Sequence, residues 1–425
     1  MNVLIVNTSE RTGGAAVAAG RLLEALINSG EKAKMLVRDK QTDSITVAEV
    51  PGRMRARWNF LWERWCIYNH LRFSKNHLFE IDIANCGTDI TSLPEFKWAD
   101  VVHLNWINQG MLSLRNIRKI VRSGKPVVWT MHDMWQATGI CHYSEGCMSY
   151  KTGCAGCPLL PDGGSRYDLS NKIWRRKKAL YSAGNICFVA CSRWLESQAR
   201  QSALLKGQRI VSIPNAIDGR VFFRRSDKAE CRRETGLPED KKVILFVSHR
   251  VTDRRKGMEY FIEAVDRLVA DHPEMKESTV VAVLGGESEY MAGRLALKTC
   301  ALGYVSDEKR IAVIYNAADI YVLPSVEDNL PNTIMEAMAC GVPCVGFRTG
   351  GIPEMIDHGK NGYVAEFRKA DDLAAGMHRL LCGDDYEAMS RAAVSKVHTH
   401  YSQQSVAMRY IEVYNETAAM KKYII

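Results

Sequence analysis

Several things are missing from this 425-residue sequence, and each absence removes a class of protein. No stretch reaches the roughly 18 consecutive apolar residues that a membrane-spanning helix needs. The opening residues, MNVLIVNTSERTGG, have no basic segment and only a short apolar run, so no secretory leader is expected. No internal repeat of solenoid length is present. Neither sign of charge dominates: 57 Lys and Arg against 48 Asp and Glu give a net +9. That surplus suits an anionic substrate or an anionic membrane surface and does not by itself argue for nucleic acid. The expectation is a cytoplasmic protein with no nucleic-acid partner, free or in peripheral contact with the cytoplasmic face of the membrane.

What is present is ordinary for a soluble globular chain, with 46% hydrophobic and 25% charged residues. The length exceeds one ordinary core, so two large domains are expected. The 13 cysteines are expected to be mostly thiols in a reducing compartment. Cys187, Cys340 and Cys344 lie in apolar runs and read as small buried hydrophobes.

The chain starts with an apolar run at 3–6, a polar loop containing Gly13 and Gly14, and a helical pattern over 17–27. Strand, turn and helix in that order open a doubly wound α/β domain. Further strand-like runs fall at 33–37, 101–104, 127–131, 186–190 and 210–213, with helical patterns at 111–122 and 192–205. After a charged stretch at 224–242 the rhythm restarts. Strands are expected at 243–247, 279–284, 320–323 and 343–347, with helices at 257–271 and 333–339. The fold class is therefore α/β, two Rossmann-like doubly wound domains. Residues 1–220 form the first, with a Cys-rich insert at 141–157. Residues 221–400 form the second. An amphipathic helix in 401–425 packs back across the boundary. Two such domains are expected to face a central cleft at the C-terminal edges of their sheets, where open sheets bind ligands.

The stretch SVEDNLPNTIMEAMACGVPCVGFRTGGIPE places carboxylates beside a helix N-terminus on the lip of a buried strand. Free amides at a helix start and the helix dipole bind phosphate. Asn332 or Thr333 is expected to cap this helix. Glu336, one turn in, can reach hydroxyls of a sugar beside the phosphate. Asp328, in the loop before it, can meet a second sugar. Carboxylates on either side of a diphosphate describe a nucleotide-sugar site.

Here the chain resembles a family. PSVEDNLPNTIMEAMACGVPCVGFRTGGIPEMI is similar to the donor-site signature of the retaining GT-B glycosyltransferases of family 4. That signature has two glutamates separated by seven residues; Asp328 and Glu336 keep the spacing, with Asp in place of the first Glu. TSERTGGAAVAAGRLLEAL resembles the family's Gly-Gly loop, VVWTMHD the segment whose His lies near the sugar, and VSIPNAID the interdomain linker. LFVSHRVTDRRKG resembles the phosphate-binding strand end, and LGYVSDEKRIAVIYNAADIYVLPS the base-binding turn. The co-linear order of these segments is more specific than any one of them. The block from HLNWIN to GCAGCP suggests the subgroup that builds bacterial surface polysaccharides, such as colanic-acid-type transferases.

The resemblance implies roles. Glu336 would bond the nucleotide ribose, although a first-turn Glu often serves only the helix dipole. Asp328 would contact donor-sugar hydroxyls; alone it reads as a turn acid. Lys256 and a neighbouring arginine, Arg250 or Arg255, would neutralise the departing diphosphate; the plain alternative is a solvated basic loop. His132 would approach the donor sugar, where a lone His is otherwise a satisfied core group. Gly13 and Gly14 allow close backbone approach or simply a turn. Gly285, Tyr304 and Val305 would wall the nucleotide, and Asn329, Leu330, Asn332 and Thr333 complete the donor side. Catalysis would need no metal, and the partners would be a nucleotide-diphosphate sugar and a glycan or lipid-linked acceptor. A GT-B 2-epimerase or a non-catalytic nucleotide-sugar scaffold are the rival readings.

Two segments stand apart. Cys141, Cys147, Cys154 and Cys157 have spacings of five, six and two intervening residues, which suits one structural zinc ion; free thiols or a redox pair are the alternatives, with His142 a substitute ligand. RMRARWNFLWERWCIYNHLRF carries Trp58, Trp62 and Trp65 at helical spacing among arginines. A core-packing helix is the first expectation and an interfacial helix on anionic lipid the second.

Overall fold

The computed structural model describes residues 1–250 and 252–421. The chain divides into two compact units: Met1–Ala216 together with the stretch from Val406 on, and Ile217–Ser405. Each is built on one wholly parallel sheet.

The first unit contains β1 (Asn2–Ser9), β2 (Lys32–Asp39), β3 (Val47–Glu49), β4 (Val101–Leu104), β5 (Val127–Met131), β6 (Ile186–Ala190) and β7 (Arg209–Ser212). Their order across the sheet is β3-β2-β1-β4-β5-β6-β7. The second unit contains β8 (Lys242–Arg250), β9 (Thr279–Gly286), β10 (Lys298–Gly303), β11 (Ile320–Leu323), β12 (Cys344–Phe347) and β13 (Gly362–Ala365), in the order β10-β9-β8-β11-β12-β13. In each sheet the order reverses beside the first strand of the unit, the topological switch point at which ligands collect in such folds. Central strands are buried on both faces, which is why they read as apolar runs without alternation.

The last helix, Gln403–Lys421, covers the first sheet. Val406, Ala407, Tyr410, Val413 and Tyr414 join one core with Val3, Ile5, Val101, Val128 and Val189. The end of the amphipathic stretch, from Lys422, lies outside the described residues. A polar spine runs through this contact. Buried His103 on β4 bonds Tyr414 Oη at 2.6 Å through Nδ1 and Thr130 Oγ1 at 2.7 Å through Nε2, and Thr130 Oγ1 is 3.0 Å from Tyr410 Oη.

The structure overturns the first expectation for the tryptophan segment. The helix Arg53–His70 forms, but Trp58, Trp62 and Trp65 are exposed, while Glu63 and Arg64 are buried. The capping expectation is also corrected. The helix Asn332–Ala339 has Pro331 at its N-cap and no side-chain cap; Thr333 Oγ1 instead accepts the Tyr321 hydroxyl at 2.8 Å. Asn332 is already the first helical residue.

Burial holds His103 at about 3 and His132 at about 4, below the ordinary imidazole value near 6.5. Both are neutral in the fold, and the unfolded chain takes up their protons first. Stability is therefore expected to fall as pH drops from about 6.5 toward 4, by up to about 1.4 kcal/mol per pH unit for each group. Thermal melts from pH 7 to 4.5 test this: His103→Gln should flatten the acid limb, and an unchanged slope would contradict it.

Candidate functional site

In the second unit, the loops after β8, β11 and β12 meet through unusually close backbone approach. β8 ends at Arg250, and a single 3-10 turn, Arg254–Lys256, leads through Gly257 into the helix Met258–Asp271. Gly257 has φ 72°, and a Cβ there would stand 1.8 Å from the Pro324 carbonyl oxygen. The Val326 N–H donates to the Arg255 carbonyl at 2.8 Å. On the other side, Gly350 has φ 54°, and a Cβ would stand 1.6 Å from the Asp328 carbonyl oxygen. Only glycine fits either place.

This compression puts Lys256 Nζ 2.6 Å from Asp328 Oδ2, with the Ser325 hydroxyl 3.4 Å from the same oxygen. Asp328 and Asn329 are buried although they lie in a loop. Glu336 is also buried, on the second turn of Asn332–Ala339, and accepts the Tyr315 hydroxyl at 3.2 Å. Burial pushes the Tyr321 hydroxyl well above its ordinary value, and the charges of Asp328 and Glu336 add to the shift. Lys256 and Asp328 are thus brought together at the sheet edge, and Glu336 lies on the helix that follows the Asp328 loop.

The arginine alternatives separate. Arg255 is turned toward Asp253, with Nη2 3.2 Å from Oδ2. Arg250 is exposed at the end of β8, and its guanidinium has no ion-pair partner among the described residues. Gly285 closes against the neighbouring strand, where a Cβ would stand 1.8 Å from the Ser248 carbonyl oxygen. Tyr304 is exposed and meets His249 edge-on at 5.5 Å; Val305 is half-buried beside it. Asn329, Leu330, Asn332 and Thr333 line the Asp328 loop and the helix start.

In the first unit, four strand ends supply a second cluster. His132, directly after β5, donates Nε2–H to Asn105 Oδ1 at 3.0 Å, just past β4. Cys191, just past β6, has its sulfur 3.7 Å from His132 Nδ1. The Asn7 side chain at the end of β1 accepts the Trp106 N–H at 3.0 Å. The amide nitrogens of Asn105 and Asn108 are buried without a hydrogen-bond partner. Burial keeps His132 neutral, although the charge of Asp133 works the other way.

Behind His132 runs a chain of buried charges. Asp133 accepts Trp106 Nε1–H at 3.0 Å and His142 Nδ1–H at 2.8 Å; His142 Nε2–H reaches Asp82 at 2.8 Å, and Asp82 pairs with Arg64. Burial opposes a charged His142, but the two aspartates outweigh it and lift the ring to about 10. Asn105, Trp106, Asp82 and Tyr315 were not singled out from sequence, and His142, considered there as a substitute metal ligand, bonds Asp133 and Asp82 instead. Asn105 alone carried a signal, its place at a strand end in HLNWIN. Gly13 has φ 91° and open space around its Cβ position, so conformation rather than crowding requires glycine at the start of the helix Gly14–Asn28.

The cysteine block is less converged. Burial raises the thiols of Cys141 to about 12 and Cys157 to about 11, and Cys154 also upward. Cys154 Sγ accepts the Gly139 N–H at 3.1 Å. Among the described residues, the group of three or more possible ligand atoms lying within 4.8 Å of one another is His272, Glu274 and His378, not these sulfurs.

Comparison with known proteins fits this geometry. The family model "Glycosyltransferase Family 4" matches residues 12–220, and "Glycosyl transferases group 1" matches residues 241–383. The chain belongs to the family 4 glycosyltransferases. D-inositol 3-phosphate glycosyltransferase of Corynebacterium jeikeium is 28% identical over 310 residues, 68% of this chain and 69% of that one. The putative colanic acid biosynthesis glycosyl transferase WcaC of Escherichia coli is 26% identical over 382 residues, covering 86% and 88%. HepE of Anabaena, solved with UDP and glucose, superposes with a TM-score of 0.62 at 15% identity, covering 98% and 100%. That likeness shows the GT-B fold. The protein is thus a glycosyltransferase of two parallel α/β units.

The glycines give a contrast within this transferase. Gly350→Ala is expected to cost more than about 2 kcal/mol, because strain and collision with Asp328 add. Gly13→Ala should cost only about 1 kcal/mol, from its φ alone. Urea melts of both variants decide; equal costs would remove the close-approach argument.

Proposed function

We propose that the protein transfers a sugar from a nucleoside-diphosphate sugar to a glycan or lipid-linked acceptor in bacterial surface-polysaccharide synthesis, with retention at the anomeric carbon. The observation that carries this reading is the Lys256–Asp328 pair beside the uncapped start of Asn332–Ala339. A leaving diphosphate gains charge as its sugar departs. Cations and amides already in place stabilise that charge without reorganising. Asp328 holds the Lys256 ammonium, and its other oxygen, Oδ1, makes no hydrogen bond among the described residues, which leaves it for sugar hydroxyls. Glu336, held by Tyr315, takes the ribose. Arg250 is the better second cation, since Arg255 is engaged by Asp253. His132, in the first unit, is neutral. The E. coli relative's name supports the pathway, and the Anabaena structure's ligands support a UDP-sugar donor.

Lys256→Ala is expected to lower kcat about 10²–10³-fold in a variant that is less stable but still folded. The assay pairs a panel of nucleotide sugars with glycan acceptors and reads anomeric configuration by NMR. Conversion of the nucleotide sugar without acceptor would instead establish an epimerase, and full activity of Lys256→Ala would refute the charge-stabilising role.

The cysteine block is proposed as a structural zinc site, and no catalytic step passes through it. Four thiolates at about 2.3 Å from zinc would draw the sulfurs closer than they stand here. Protein isolated without chelators should carry about one zinc per chain, and Cys154→Ser should lose it. Metal-free wild type would end the proposal.

A further inference from the structure

The helix Arg53–His70 has its polarity reversed. A helix lying on a water-soluble unit turns apolar residues inward and charges outward. Here Glu63 and Arg64 point in. The Glu63 carboxylate accepts the backbone N–H groups of Ile83 and Ala84 at 3.2 and 2.6 Å, and Arg64 pairs with Asp82. The outward face is apolar: Trp58 is 65% exposed, Trp62 56% and Trp65 53%, with Met54 and Leu61 beside them. At about 100° per residue these five fall within an arc of about 100°.

The turn after the helix extends this face. Arg72 and Phe73 both adopt the left-handed region, φ 52° and 64°, which non-glycine residues avoid. The result keeps Phe73 exposed beside Trp65 and Tyr68, at ring separations of 6.3 and 5.5 Å. A strained turn that holds an aromatic ring in water is not explained by the stability of the unit.

Charge brackets the arc. Arg55 lies on one side of it and Arg53 and Arg57 on the other, all exposed. Arg55 and Arg57 have no ion-pair partner among the described residues. The first turn of the helix holds no acidic residue, so these cations sit where the helix dipole disfavours them. Between residues 50 and 79 the sole acid is the buried Glu63.

We propose that this face docks on an anionic phospholipid bilayer, with Trp58, Trp62, Trp65 and Phe73 in the headgroup region and the arginines on lipid phosphates. Tryptophan suits that boundary, and a basic rim adds attraction to anionic lipid. A second copy of the chain is the poorer occupant. A two-fold contact would set the same arginines against one another, and the core of protein interfaces is depleted of charge. The surface argument does not rest on the transferase reading.

The full-length protein is mixed with vesicles of phosphatidylglycerol and phosphatidylethanolamine, or of phosphatidylcholine alone, and floated on a density gradient. Binding to the anionic vesicles should exceed binding to the neutral ones at least tenfold and weaken in 0.5 M salt. The triple variant Trp58→Ser, Trp62→Ser, Trp65→Ser should lose at least tenfold of that binding, with an unchanged melting temperature. Arg55→Glu with Arg57→Glu should lose it too, and provides a second variant should the first fail to fold. Equal flotation with both vesicle types, wild-type levels in either folded variant, or a dimer in sedimentation that the triple variant abolishes would overturn the proposal.

Discussion

One ion pair organises the loops at the edge of the second sheet: Lys256 on Asp328. It joins the loop after β8 to the loop after β11 across 72 residues of sequence. Two glycines, Gly257 and Gly350, make it possible, because any side chain there would push backbone apart where carbonyl oxygens now crowd in. Parallel strands place all these loops on one edge, and the edge becomes a site only when the loops close on each other. In the proposed reaction, a lysine held by a carboxylate would keep its place while charge builds on a neighbouring phosphate, which is what electrostatic preorganisation requires.

The first unit answers a different problem, how to hold a neutral histidine at a strand end. Asn105 and Cys191 fix the ring of His132, while Asp133, His142, Asp82 and Arg64 form a line of alternating charge behind it. Each buried charge has an opposite neighbour, which is the condition for burying any of them. The same line pulls Arg64 inward and so turns the tryptophan face of its helix outward. Site and surface share one cause.

The central strands were legible because burial on both faces writes an unbroken apolar run; 101–104, 127–131, 186–190 and 320–323 were read with their observed bounds. The edge strands β3, β10 and β13 were not, whereas the edge strand β7 was read one residue late, at 210–213. β10 reads KTCALG, half solvated, and β3 has three residues, so neither leaves a periodic trace. The spacing of Asp328 and Glu336 pointed to the site, but their holders did not show: Tyr315 lies 21 residues before Glu336, and only the folded chain brings them together. The facing of Arg53–His70 was misjudged for a similar reason. Three tryptophans look like core until Asp82 and the amides of Ile83 and Ala84 are seen to claim the opposite side.

The closing helix has a consequence for synthesis on the ribosome. The first sheet's covering layer includes Val406, Tyr410 and Tyr414, encoded after the whole second unit. The spine from Thr130 through His103 to Tyr414 can form only after the second unit has been made. The nascent first unit must therefore wait with part of its apolar sheet uncovered while nearly 190 later residues emerge. The helix from Gln403 acts as a check that the second unit has been made: a message cut short within that unit leaves apolar sheet exposed, and only a chain reaching Tyr414 covers it.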